Sequence, residues 1–131
     1  MVLLKPIKTA IVGPTAVGTT LTDIGSEIVL GGHFDELWIE LYNGSAAQAL
    51  TDFALLVQTD TGAQWHSYCS GATWGSGPVI LPYSSGNLNT TGTESFNYAR
   101  IDIGSVYAVK FQAKVGADTA AVTVRAVAGV Q

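Results

Sequence analysis

Apolar and polar residues alternate with a period of two along most of this chain, as in strands that bury one face. In Leu37-Trp38-Ile39-Glu40-Leu41-Tyr42, one face carries Leu37, Ile39 and Leu41 and the other Trp38, Glu40 and Tyr42. Asn43-Gly44-Ser45 then closes that strand. Residues 53–57 read as a buried strand with Phe53, Leu55 and Val57 inward. Thr59-Asp60-Thr61-Gly62 is a turn signal, and residues 63–68 return as the second half of a hairpin. Pro78 and Pro82 bracket a short apolar run that reads as an edge strand. Residues 98–103 alternate again, with Ala99, Ile101 and Ile103 inward. The clearest hairpin comes last. Tyr107, Val109, Phe111, Ala113 and Val115 precede a loop at residues 116–119, and Val122, Val124 and Ala126 follow it, so Lys110, Lys114 and Arg125 would share one outward face. Only residues 45–50 look helical, for one or two turns.

Short strands at turn-marked spacing predict an all-β chain: a single antiparallel β-sandwich or jelly-roll-like domain over residues 27–131. Residues 1–26 differ. Pro6 and Pro14 interrupt the apolar positions, and residues 13–22 are small and polar, so the segment reads as an extended N-terminal arm. Such an arm suits addition of a strand to a neighbour.

Composition changes this picture in one respect. Of 131 residues only 12% are charged, about half the usual share, while 47% are hydrophobic. This excludes intrinsic disorder. Six Lys and Arg offer few phosphate contacts, which argues against nucleic acid. So bare a surface points to coverage by a partner. The charges are also segregated: residues 9–99 contain eight acids and no Lys or Arg. A basic end of one copy could therefore meet an acidic face of another. No apolar run reaches the length of a membrane span, and the first residues do not form a signal peptide, so synthesis without secretion is expected. A lone cysteine, Cys69, excludes an internal disulfide and a cysteine-based zinc site.

The motifs that could carry chemistry are weak. Residues 13–20 nearly match a phosphate-binding loop, but Thr19 replaces its lysine and no helix pattern follows. Asp60-Thr61-Gly62-Ala63 resembles the catalytic loop of retropepsin-like aspartic proteases, in which two subunits each supply one carboxylate. Gln58 and Thr59 stand where apolar residues should precede that Asp, and a turn explains the same four residues. His33 and His66 lack metal-ligand spacing. The reading is no catalytic residue, no cofactor and no metal.

The aromatics Trp38, Tyr42, Trp65, Tyr68, Trp74 and Tyr83 occupy outward strand positions or loops. Such residues anchor protein interfaces or stack on sugars, which keeps a glycan ligand open. On residues 37–44, 49–58, 99–103 and 106–128, the chain resembles the small β-sandwich virion proteins of tailed bacteriophages, in particular head decoration and related auxiliary proteins. That resemblance implies a cement role in the virion after assembly in the bacterial cytoplasm. The partners would be the major capsid protein or further copies of the chain, often as trimers. A tail or head–tail connector subunit and a carbohydrate-binding module are the alternatives. The expected contact residues are Val2, Leu3, Leu4, Lys5, Ile7, Lys8, Ile11 and Val12 of the arm, with Trp74 and Tyr83.

Overall fold

Alternation of buried and exposed residues builds ten strands in the computed structural model, which describes residues 7–44, 50–70, 83–84 and 95–130. They are β1 (Ile7–Val17), β2 (Thr22–Asp23), β3 (Ile28–Val29), β4 (Glu36–Asn43), β5 (Leu50–Gln58), β6 (Trp65–Ser70), β7 (Tyr83–Ser84), β8 (Ser95–Asp102), β9 (Ala108–Val115) and β10 (Ala120–Gly129). The front sheet runs β1-β10-β4-β8-β7; the back sheet runs β2-β9-β5-β6, with β3 also on β9. Every pairing is antiparallel. The fold is an all-β sandwich, as the periodicity predicts.

One core lies between the sheets. The front sheet contributes Leu37, Ile39 and Leu41 from β4, Ile101 from β8, and Val122, Val124, Ala126 and Ala128 from β10. The back sheet contributes Phe53, Leu55 and Val57 from β5 and Val109, Phe111, Ala113 and Val115 from β9. Phe53 and Phe111 stack with ring centroids 5.9 Å apart. Each fully buried aromatic or aliphatic side chain stabilises the fold by about 1.5–3 kcal/mol relative to exposure. Two side chains tie the layers together: the Tyr68 hydroxyl donates to the Asp102 carbonyl, and Lys8 Nζ donates to the Val29 carbonyl. Gln58 is buried, and its amide Nε2 donates to the Ala63 carbonyl at 2.8 Å.

Three expectations are corrected. First, residues 7–26 do not precede the sandwich as an arm. β1 pairs with β10 from Ile7↔Gly129 to Val17↔Ala120. The chain then crosses to the back sheet, where Ile24 donates to the Phe111 carbonyl at 2.8 Å and Leu30 to the Tyr107 carbonyl at 2.7 Å. Residues 7–31 thus edge both sheets in turn. The misreading has a geometric cause. Val12 and Val17 are both buried although they stand five positions apart, an odd offset that would put them on opposite faces of a regular strand. A bulge reconciles them: Val12 faces Val124 and Thr15 faces Val122, so β1 spends one extra residue at Gly13-Pro14 and the inward parity flips. Gly13 sits there at φ +91°, and a Cβ on it would lie 2.4 Å from the Val122 carbonyl oxygen. Gly25 approaches the same bulge, receiving Thr15 Oγ1 as the acceptor for its N–H at 2.9 Å.

Second, β9 and β10 do not form a hairpin. β9 pairs with β5 in the back sheet and β10 with β1 and β4 in the front sheet. Residues 116–119 carry the chain from one layer to the other, with Asp118 at φ +62°. Lys110 and Lys114 therefore lie on the opposite outer face from Arg125. A hairpin and a layer-crossing corner impose the same alternation on their strands, so periodicity does not distinguish them. Third, Leu50 opens strand β5 and is not part of a helix. Residues 45–49, and the strand expected between Pro78 and Pro82, lie outside the described residues.

Candidate interaction surface

The two outer faces of the sandwich differ in how their side chains are used. On the back sheet, the outward residues of β2, β9 and β6 contact one another. Lys110 Nζ lies 3.6 Å from Asp23 Oδ2 and 4.8 Å from the centre of the Trp65 ring. Gln112 Nε2 donates to Asp23 Oδ1 at 2.7 Å. Asp23 belongs to the cation-free part of the sequence and Lys110 to the basic part, so this pair joins the segregated charges within one chain.

The front face follows from its register. Residues paired across antiparallel strands project to the same side. One row is Thr9, Val127 and Trp38; the next is Ile11, Arg125 and Glu40; Thr123 and Tyr42 pair further along. Ile7, Ile11 and Trp38 are 69%, 65% and 42% exposed. Large apolar groups at such exposure on one sheet face mark contact surfaces; Val29 and Leu21, 40% and 38% exposed, are the other large apolar residues so exposed among the described ones. The Trp38 indole N–H donates to the Glu36 carboxylate on the same strand face, which holds the ring along β4. A shallow depression of about 330 Å³ opens between β4 and β10, lined by Trp38, Ile39, Glu40, Arg125 and Val127.

The predicted contact residues are divided by the fold. Ile7 and Ile11 are exposed on the front face. Val12 is buried in the core and is corrected from contact to packing residue. Lys8 is committed to the Val29 carbonyl at the end of the sandwich. The register sets Tyr83 opposite Arg100, and Arg100 opposite Trp38. Val2, Leu3, Leu4, Lys5 and Trp74 lie outside the described residues. Glu40, Arg125 and Val127 are not among the expected contacts, and Trp38 is expected only as one of the outward aromatics. The outward position of Trp38 was visible in the alternation, but nothing in the sequence placed it two strands from Ile11.

The chemical motifs resolve into local structure. Residues 13–17 of the phosphate-loop-like run are strand, and residues 22–23 pair with β9. Asp60 sits exposed in the β5–β6 turn, where its carboxylate accepts from the Thr61 N–H at 2.8 Å and its carbonyl from the Ala63 N–H at 3.1 Å. His33 and His66 are exposed. Among the described residues, no three His, Cys, Asp or Glu side chains are grouped as metal ligands would be.

No protein-family model matches the sequence, and no curated protein matches it. Among solved structures, the chain is similar to the SPBc2 prophage-derived protein YomS, at 18% identity and a TM-score of 0.49, over 98% of this chain and 99% of that one. It is also similar to a chain from Bacillus endospore appendages, a family of disulfide-linked pili, at 10% identity and a TM-score of 0.41, over 98% and 93% of the two chains.

Proposed function

We propose that this chain is a non-enzymatic structural subunit that docks the outer face of its front sheet onto a protein assembly. A virion shell is the assembly its sequence resemblance implies, with capsid decoration as the role. One observation carries the reading: Ile7, Ile11 and Trp38 stand exposed together on a sheet face whose strands are otherwise fully integrated in the sandwich. Covering each of them would contribute on the order of 1–2 kcal/mol before the cost of association. A contact that is weak singly becomes strong when many copies engage one lattice.

A second reading has its own support. A tryptophan held along a sheet face beside Glu40 and Arg125 is an arrangement on which a sugar ring can stack. The neighbouring Ile7 and Ile11 favour a protein, because a sugar offers them little apolar surface in return.

The test is density-gradient sedimentation of extracts from cells that make the chain. The wild-type chain should sediment with megadalton assemblies, and Ile11→Lys should release it to the slow-sedimenting pool. A wild-type chain found only in the slow pool overturns the docking reading. Retention on immobilised glycans, lost with Trp38→Ala and unaffected by Ile11→Lys, would favour the sugar reading instead.

A further inference from the structure

We infer that the front face is self-complementary and takes a second copy of this chain, face to face, about a two-fold axis that runs along the strands between β10 and β4. The inference rests on the reading of this face as a contact surface and names its occupant in the unattached chain, so the second copy and the assembly compete for the same residues. It follows from the register. β10 and β4 pair Thr123 with Tyr42, Arg125 with Glu40 and Val127 with Trp38. A two-fold axis parallel to the strands and midway between them sets β10 of one copy over β4 of the other. Each residue then meets its own register mate from the partner copy. Arg125 faces Glu40, and Val127 faces Trp38, twice over. The operation that makes the contact isologous thus opposes cation to anion and apolar to aromatic, with no like charges on the axis.

Two features fit this arrangement. The depression between β4 and β10 lies on the axis and gives the partner copy's Trp38 and Arg125 side chains room to enter. β1 falls over β8 of the other copy, which by register sets Ile11 opposite Tyr98 and Ile7 at the rim opposite Asp102. The size is also consistent. Four strands of about eight residues present a patch of roughly 19 by 27 Å. Over two copies this is on the order of 1,000 Å², the low end of specific interfaces and appropriate to a pair that forms in the micromolar range.

Sedimentation velocity of the purified full-length chain, from about 1 µM to about 1 mM, tests this. A concentration-dependent monomer–dimer equilibrium is expected. Arg125→Glu and Glu40→Arg should each weaken it about tenfold or more by placing like charges together, and the double reversal should restore it to within a few-fold. A chain that stays monomeric throughout, or a double reversal that dimerises no better than the single variants, overturns the inference. Should a reversal variant unfold, Arg125→Gln and Glu40→Gln carry the test: wild-type dimerisation should weaken with salt and theirs should not. Failure here is separable from failure of the docking reading. A monomer that still sediments with megadalton assemblies through Ile11 keeps docking and loses the second copy. A dimer that never leaves the slow pool does the reverse.

Discussion

The two outer faces of this sandwich are built from the same strand geometry and put it to opposite uses. On the back face, Asp23, Lys110, Gln112 and Trp65 contact one another across β2, β9 and β6. On the front face, Ile7, Ile11 and Trp38 turn to solvent, and the flanking charges Glu40 and Arg125 sit opposite each other in register. Both faces carry charge, Glu36, Glu40 and Arg125 on the front and Asp23, Lys110 and Lys114 on the back. What differs is that Lys110 and Asp23 pair with each other, whereas the front face sets Ile7, Ile11 and Trp38 to solvent among its charges. A charge deficit thus becomes informative only after the fold shows which charges are already committed.

The largest expected effect comes from breaking the edge of the front face. Gly13→Ala puts a methyl group 2.4 Å from the Val122 carbonyl oxygen, at a φ of +91° that side chains disfavour. A loss on the order of 3 kcal/mol is expected, lowering the melting temperature by roughly 10 °C. Calorimetry measures it. A variant that melts with the wild type would show that the bulge does not hold β1 in place. Because Ile11 lies just before the bulge, the same variant should also weaken attachment through the front face.

The back face predicts a smaller effect of a different kind. Lys110→Ala removes an ion pair to a half-exposed Asp23 and a cation–π contact with Trp65, together about 1 kcal/mol. Denaturant titration at low and high salt separates the two parts. The ion-pair share should shrink in 1 M salt, while the contact of the lysine stem with Trp65 persists. Assembly should be unaffected. Loss of attachment in Lys110→Ala at unchanged stability would move the contact surface to the back sheet.

Much of this was legible because period-two alternation reports burial directly. Leu37, Ile39 and Leu41, and likewise Phe53, Leu55 and Val57, are buried as their spacing requires. What alternation cannot report is partnership. It does not say that β9 and β10 lie in different sheets, since a strand buries one face in either arrangement. It also fails where parity breaks, and the extra residue at Gly13-Pro14 disguised an edge strand as an arm. The candidate surface was hidden for the same reason. Ile11, Arg125 and Trp38 come from three distant stretches of chain, and only the order β1-β10-β4 brings them onto one face.

The smallest effect on stability is expected from the residues that matter most to contact. Ile11 is nearly two-thirds exposed on an edge strand, so Ile11→Thr keeps a β-branched side chain and removes little buried area. Its melting temperature should stay within the change produced by about 0.5 kcal/mol. Ile7→Thr should behave alike, and the double variant should add without coupling, since four residues along a strand place the two side chains about 13 Å apart. Attachment should nevertheless fall for each single variant and further for the double. Attachment and stability falling together would mean that these isoleucines support the sheet. Stability held while attachment is lost would separate a surface kept for folding from one kept for docking, which is the distinction between the two faces.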